Sequence, residues 1–247
     1  MIDIHCHILP EMDDGAASYD EAVEMAKVSR KNKISSIIAT PHFTDFDEID
    51  DFLMERDERI EMLNKILSDL EINVPIGYGA EVYLKSDVFT AGELGGLTIN
   101  GSRYMLCEYT LKPFNPEKAV IYAEEICSRG FVPIIAHPER YISFLENPEV
   151  VNDLWDMGCR FQVNAASLAG RGGVQMQDFA KNLILRGFVD FIATDAHAVG
   201  SRSSRILSKI DDFPKEIDDR RIEYLTEIAP KKIIMNEELE KRDVGYF

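Results

Sequence analysis

The sequence has no long apolar run and no excess of positive charge. None of its stretches approaches the about 18 consecutive apolar residues of a membrane-spanning helix. Its 44 acidic residues outnumber its 27 lysines and arginines, which gives a formal net charge of −17. Since so acidic a chain repels nucleic-acid backbones and anionic membrane surfaces, we expect neither a nucleic-acid partner nor membrane insertion.

Motifs of several familiar chemistries are also missing. The four cysteines form no Cys-x-x-Cys pair, which is typical of reduced thiols rather than of a disulfide framework. None of them has an arginine six positions later, as a cysteine-based phosphatase requires, and there is no Gly-x-Ser-x-Gly nucleophile elbow. We expect Cys6 to pack behind the first strand. Reduced cysteines and the lack of a signal-like segment before that strand predict a cytoplasmic protein.

Short β-branched runs alternate along the chain with stretches of helical period. The strand-like runs are MIDIH, ISSIIAT, NVPIGYGAEV, RYMLCEY, VPIIAH, RFQVN and FVDFIAT. Two of the helices between them are predicted to end at Gly130 and Gly158, and later helices are predicted over 175–186, 201–210 and 219–228. About seven strands with helical connections indicate an α/β protein, either a closed barrel or an open sheet. No glycine-rich nucleotide-binding loop follows the first strand, so we predict a barrel within a single domain, residues 1–247.

All five histidines lie at or just after the end of a predicted strand. They are His5, His7, His42, His137 and His197. Carboxylates occur at the same level, namely Asp3, Asp14, Glu81, Glu108 and Asp195. In parallel α/β folds the C-terminal ends of the strands carry the functional site. A single histidine there is commonly structural, but five beside carboxylates indicate one shared site.

This site has the composition of a metal centre. Side chains two positions apart share a strand face, so His5 and His7, and likewise Asp195 and His197, can bind one ion together. Imidazole and carboxylate ligands without thiolates suit Mn²⁺, Fe²⁺ or Zn²⁺, and the candidates are too many for one ion. We predict two or three ions, which in such clusters activate water for hydrolysis, especially of a phosphate ester.

Two arginines are placed to bind that phosphate. Arg140 follows His137 by three positions, and Arg202 follows His197 by five. A guanidinium offers phosphate oxygens a two-pronged hydrogen bond, and an anionic substrate needs local positive charge in so acidic a chain. We therefore predict that both arginines hold the phosphoryl group.

The segments DIHCHILPEMDDGA, IIATPHF, GAEV, CEY, IIAHPER and ATDAH occur in order between residue 1 and about residue 205. With them the sequence resembles the polymerase and histidinol phosphatase (PHP) superfamily, and within it the bacterial manganese-dependent protein-tyrosine phosphatases of the CpsB/CapC type. The resemblance implies a distorted (β/α)₇ TIM-like barrel, the PHP fold, with a trinuclear site bridged by Glu81. The implied ligands are His5, His7, Asp14, His42, Glu81, Glu108, His137, Asp195 and His197.

The resemblance also implies a reaction and a partner. Phosphotyrosine on a protein would be hydrolysed by a metal-bridging hydroxide without a covalent intermediate, while Arg140 and Arg202 steady the developing charge. Mn²⁺ is the implied cofactor, with Fe²⁺ or Zn²⁺ as alternatives. The implied substrate is a tyrosine autokinase that regulates capsular or exopolysaccharide synthesis.

Other functions remain open at this point. A histidinol-phosphate or other small-molecule phosphatase would use the same metal site. A nuclease is disfavoured by the negative charge, and a PHP-like module that binds metal or protein without catalysis is disfavoured because all nine ligand positions are filled. We expect residues 206–247 to form covering helices, with a docking surface as the alternative.

Overall fold

The chain folds into a barrel of parallel strands surrounded by helices. The computed structural model describes residues 1–200, 202–203 and 213–247. Its strands are β1 (Ile2–Cys6), β2 (Ser36–Ala39), β3 (His42–Phe43), β4 (Ile76–Tyr78), β5 (Glu81–Tyr83), β6 (Tyr104–Glu108), β7 (Val132–Ala136), β8 (Arg160–Asn164) and β9 (Val189–Ala193). Each predicted strand is therefore confirmed, and NVPIGYGAEV contains two.

The strands form seven staves that close into a ring. One sheet has the order β1-β2-β4 and the other β3-β5-β6-β7-β8-β9, with every pair parallel. Because β2 and β3 are separated by only two residues, as are β4 and β5, each pair is one interrupted stave. A parallel bridge from Cys6 to Ala196 joins the two ends. The predicted distorted (β/α)₇ barrel is confirmed.

Helices cover the outside of the barrel. They are α1 (Tyr19–Lys31), α2 (Ile49–Asp69), α3 (Glu117–Ser128), α4 (Ile142–Glu146), α5 (Val150–Asp156), α6 (Ala165–Leu168), α7 (Val174–Leu185), α8 (Asp219–Glu223) and α9 (Ala229–Ile234). A π-helical turn, Tyr224–Ile228, joins α8 to α9, so the helix predicted over 219–228 continues further. The helix predicted over 201–210 lies outside the described residues. None of the described helices is both long and apolar enough to span a membrane.

Local chemistry explains where these helices begin and end. Ser18 caps α1 by accepting a hydrogen bond from the backbone of Glu21, and acidic residues occupy the first turn, where they favour the helix dipole. Gly130 and Gly158, which follow α3 and α5, have φ values of 87° and 102°. This left-handed conformation favours glycine, so the two predicted helix ends are confirmed.

Two apolar layers hold the barrel in shape. The inner layer includes Ile4, Ile38, Leu106 and Phe191, while the larger outer layer fills the space between strands and helices. On β6, Glu108 follows Leu106 by two positions and so continues the same strand face. The inner layer therefore forms an apolar floor below the polar end of the barrel.

The first strand, β1, is irregular where it pairs with β2. Between Asp3 and Cys6, β1 advances three residues while the facing stretch of β2 advances two. Such a bulge changes the direction in which the side chains point. Asp3 is buried and accepts a hydrogen bond from the backbone of Thr194 at 3.0 Å. The expectation that Asp3 joins the other carboxylates is wrong, because Thr194 satisfies it instead.

Candidate metal centre

All nine predicted ligands come together at the C-terminal ends of the staves. Three groups of possible ligand atoms each lie within 4.8 Å of one another. The groups are His7, Asp14, His42 and His197; His5, His7 and Glu81; and His42, Glu81 and Glu108. The remaining two residues, His137 and Asp195, adjoin these groups. The sequence prediction of one shared site is confirmed geometrically, while the role of each residue as a ligand stays a prediction.

Glu81 lies at the centre of this cluster. Its Oε2 is 3.1 Å from His5 Nε2, 3.2 Å from His7 Nε2 and 3.1 Å from His42 Nδ1, while its Oε1 is 2.9 Å from His137 Nε2. Burial opposes ionisation of this carboxyl, but the surrounding histidines outweigh that effect and hold its pKa well below the usual range. A carboxylate among four imidazoles has the position required to bridge metal ions.

The donor set fits divalent cations. Glu81 Oε2 is buried and has no hydrogen-bond partner among the described residues. The Nε2 atoms of His5 and His7 lie only 3.2 Å apart, and both face this oxygen. A cation between nitrogen and oxygen donors satisfies all of these atoms at once. Cys6, the nearby thiol, is turned away and donates to the carbonyl of Ala196 at 3.6 Å, as expected.

Three of the histidines are oriented by hydrogen bonds on the side away from the cluster. His7 Nδ1 donates to Asp13 at 2.6 Å, and His197 Nδ1 donates to the carbonyl of Asp195 at 2.9 Å. His5 Nδ1 lies 2.9 Å from Gln162 Oε1. In His5 and His7 the opposite nitrogen faces Glu81, which is the usual arrangement around metal-binding histidines, whereas in His197 it receives Arg202 at 2.6 Å.

Sequence reasoning missed two of these supporting residues and a third that contacts Asp195. Asp13 was passed over in favour of its neighbour Asp14, although it also accepts hydrogen bonds from the backbone of His42 at 2.9 Å and Gly15 at 2.8 Å. Gln162 and Asn164 end β8 with the same alternate spacing as His5 and His7. That alternate spacing at a strand end was the available signal in the sequence.

Asp195 joins the metal-ligand candidates to the arginines. Its Oδ1 is 3.5 Å from His7 Nε2 and 3.4 Å from His197 Nδ1, while its Oδ2 accepts from Arg140 at 2.8 Å. The backbones of Asp195 and His137 have φ values of 52° and 34°. Left-handed backbone is uncommon in residues with side chains and concentrates at functional sites, where it directs side chains that a regular strand would not.

The two predicted phosphate-binding arginines both reach the mouth of the site. Arg202 donates to Asp14 Oδ2 at 3.0 Å and to His197 Nε2 at 2.6 Å. Arg140 and Arg202 line a cavity of about 220 Å³, whose wall also includes Arg171 and Met176. This cavity opens directly beside Asp195 and therefore combines positive charge with access to the proposed metals.

Metal binding is expected to release protons at neutral pH. Burial opposes charge on His5 and His7, but Glu81 and Asp195 raise the pKa of His5 to about 9, and Asp13 and Glu81 raise that of His7 to about 10. A metal must displace these protons, so its apparent affinity should rise with pH up to about 10, where His7 also loses its proton. Calorimetric titration in buffers of different ionisation enthalpy measures the release. The same heat in every buffer would contradict the prediction.

Known proteins resemble this chain over nearly its whole length. The family model described as capsular polysaccharide synthesis, CpsB/CapC, matches residues 1–235. The tyrosine-protein phosphatase YwqE of Bacillus subtilis is 34% identical, with 93% of this chain and 90% of that protein covered. The tyrosine-protein phosphatase CpsB of Streptococcus pneumoniae is 29% identical, with 96% and 99% covered.

A solved structure extends this similarity to the whole barrel. It comes from a study of YwqE of Bacillus subtilis and CpsB of Streptococcus pneumoniae, described there as metal-dependent tyrosine phosphatases. It aligns with a TM-score of 0.88 at 30% identity, covering 100% of this chain and 99% of the other. The family model, the relatives and the solved structure together show that this chain belongs to the CpsB/CapC family and has the PHP fold.

Proposed function

We propose that this chain is a metal-dependent phosphatase that removes phosphate from tyrosine residues of proteins. The observation that carries the proposal is the cluster of four histidines around Glu81, with Arg140 and Arg202 at its mouth. The relatives named as tyrosine-protein phosphatases support the choice of substrate. We extend the proposal to residues 1–247 as a single domain, which the family match over 1–235 supports.

The proposed ligands are the nine residues that converge in the barrel, and Glu81 is the proposed bridge. Because the donors are nitrogen and oxygen atoms only, we propose two or three ions of Mn²⁺, with Fe²⁺ or Zn²⁺ as alternatives. Bound metals of this kind supply Lewis acidity and an activated water for hydrolysis. Asp13 and the carbonyl of Asp195 hold His7 and His197 in the orientation that such ions require.

The arginines bind the phosphoryl group in this proposal. Asp195 holds Arg140 through a 2.8 Å hydrogen bond, and Asp14 holds Arg202 through one of 3.0 Å, so both guanidinium groups are oriented before substrate arrives. Their remaining N–H groups can then donate to phosphate oxygens as charge develops on those oxygens. The cavity of about 220 Å³ is smaller than the about 300–1,000 Å³ of pockets for drug-sized ligands, which suits a single phosphorylated side chain.

The proposed substrate is a phosphotyrosine protein of capsular polysaccharide synthesis, specifically a tyrosine autokinase. The description of the matching family supports the process. Because the chain is acidic overall, an anionic phosphotyrosine side chain would be attracted to the arginine-lined cavity.

The experiment is phosphate release by metal-stripped protein from a phosphotyrosyl peptide and from histidinol phosphate, with Mn²⁺, Fe²⁺ or Zn²⁺ added back. Activity on the peptide that returns with metal is the expected result. Activity on histidinol phosphate alone would move the protein to small-molecule metabolism. No activity on either substrate with any of the metals would overturn the proposal.

No cysteine takes part in this mechanism, so Cys6→Ser is expected to keep nearly full activity. Cys6 is buried, and burial raises the pKa of its thiol well above the usual range, which disfavours the nucleophilic thiolate. Serine can keep the hydrogen bond to the carbonyl of Ala196. Turnover of a phosphotyrosyl peptide tests the prediction, and an inactive variant that is folded and fully loaded with metal would reopen the covalent route.

A further inference from the structure

The strand β8 contributes no predicted metal ligand, yet it ends in two buried amides inside the site. Gln162 is 0% exposed and Asn164 is 5% exposed. Both face ligand candidates: Gln162 lies against His5, and Asn164 lies against Asp195. A buried amide is costly unless its polar atoms are paired, so these contacts need an explanation beyond filling space.

The direction of the hydrogen bonds can be followed from one end. Asp195 Oδ2 receives Arg140 at 2.8 Å and Asn164 Nδ2 at 2.8 Å. A carboxylate paired with a guanidinium only accepts hydrogen bonds, so Asn164 must present its NH₂ group to Asp195. Its Oδ1 consequently faces the other way and accepts from Gln162 Nε2 at 2.8 Å.

The hydrogen bonds continue from Gln162 to His5. Since Gln162 donates through Nε2, its Oε1 is the atom that faces His5 Nδ1, at 2.9 Å. An amide oxygen cannot donate, so the proton of this contact must reside on His5 Nδ1. In the neutral imidazole, Nε2 is then the nitrogen that carries the lone pair, and it is the one directed at Glu81, 3.1 Å away. The orientation of each amide follows from the carboxylate at the start of the chain.

The backbone holds this arrangement in place. Asn164 N–H donates to Glu139 Oε1 at 2.8 Å, and Glu139 is fully buried. Glu139 lies on the 3₁₀ turn Pro138–Arg140, which also carries Arg140. The end of β8 is therefore fixed to the same turn that supplies a phosphate-binding arginine.

We propose that Gln162 and Asn164 form an amide relay that sets the tautomer of His5 from the carboxylate of Asp195. Both are positioning residues: Gln162 is fully buried, and Asn164, which lines the cavity beside Arg140, has its amide engaged by Asp195 and Gln162. This inference rests on the proposed metal site. Because the relay is made of neutral amides, it orients His5 without adding charge behind a cluster that already holds several carboxylates.

The test compares Gln162→Leu with Gln162→Glu. Leucine removes the acceptor for His5 Nδ1, so Zn²⁺ affinity, measured by competition with a chromophoric chelator, should fall by about 10- to 100-fold. Glutamate keeps an acceptor oxygen and should restore most of that affinity. Gln175→Leu on the exposed first turn of α7 is the matched control and should bind Zn²⁺ like the native protein.

A spectroscopic readout separates tautomer control from general loosening of the site. In Zn²⁺-loaded protein with ¹⁵N-labelled histidine, the hydrogen-bonded Nδ1–H signal of His5 should be present in the native protein and in Gln162→Glu. It should be lost in Gln162→Leu, whose thermal unfolding shows whether the barrel remains intact. Native Zn²⁺ affinity together with a retained Nδ1–H signal in Gln162→Leu would overturn the relay.

The relay can fail while the proposed function stands. If His5→Ala lowers metal content and phosphatase activity but Gln162→Leu changes neither Zn²⁺ affinity nor the Nδ1–H signal, the metal site is supported and the relay is wrong. If native protein binds no metal and hydrolyses no phosphotyrosine, the proposed function itself is wrong.

Discussion

Glu81→Gln is expected to abolish both metal binding and phosphotyrosine hydrolysis. Glu81 lies 2.9–3.2 Å from nitrogens of four histidines, so its charge is the feature that they share. Glutamine keeps the shape of the side chain but removes the negative charge that bridging two cations would need. Its NH₂ group would also face the histidine nitrogens that are proposed as metal ligands. Elemental analysis of the purified variant and phosphate release from a phosphotyrosyl peptide measure the two losses.

The variant is compared with Glu125→Gln. Glu125 pairs with Arg129 at 2.7 Å on α3, outside the cluster, so the same chemical change there should leave metal content and turnover unchanged. Thermal unfolding shows whether both variants remain folded. Glu81→Gln with native metal content would rule out the bridging role, and native activity would remove Glu81 from the mechanism.

Arg140→Ala is expected to lower turnover of a phosphotyrosyl peptide by about 10²- to 10³-fold, the usual effect of removing one donor to a transition-state oxyanion. Arg140 lines the cavity and donates to Asp195 rather than facing the histidine cluster. Metal content should therefore stay at the native level. Steady-state kinetics together with elemental analysis measure both quantities on the same preparation.

Arg140→Lys separates charge from geometry. Lysine keeps the positive charge but cannot offer the planar pair of N–H groups, so its turnover should lie between those of the native protein and Arg140→Ala. If Arg140→Ala loses its metal along with its activity, the arginine acts through Asp195 and supports the metal site. Native kinetics in Arg140→Ala would exclude both roles.

Glu81 and Arg140, the residues changed in these variants, carry the opposite charges of one site. The chain carries a net charge of −17, and its most deeply buried acidic group in the site, Glu81, is surrounded by imidazoles. Burial, followed by the charge of Glu81, raises the pKa of Glu108 to about 7, so a large share of this group is still protonated at neutral pH. Cations and two arginines would reverse the field locally, which lets an acidic protein bind an anionic side chain.

Local patterns were sufficient for the elements of the fold. The β-branched runs at RYMLCEY, VPIIAH and RFQVN became strands because their period and composition suit buried parallel strands. Gly130 and Gly158 predicted helix ends because only a left-handed conformation closes those helices. The interrupted staves at β2–β3 and β4–β5, and the bulge in β1, could not be predicted, since they depend on how neighbouring strands fit around a closed ring.

The sequence by itself determined the class of the site, because His5, His7 and Asp195 follow strands and the ends of parallel strands must meet. The spacing of Arg140 and Arg202 from His137 and His197 also predicted that both arginines reach this site. Only the tertiary structure decided that Asp3 binds Thr194, that Asp13 supports His7, and that Gln162 and Asn164 link His5 to Asp195. These are contacts between distant segments, and their direction and distance arise from barrel closure and packing. The candidate metal-binding side chains, in contrast, can be recognised from the local sequence.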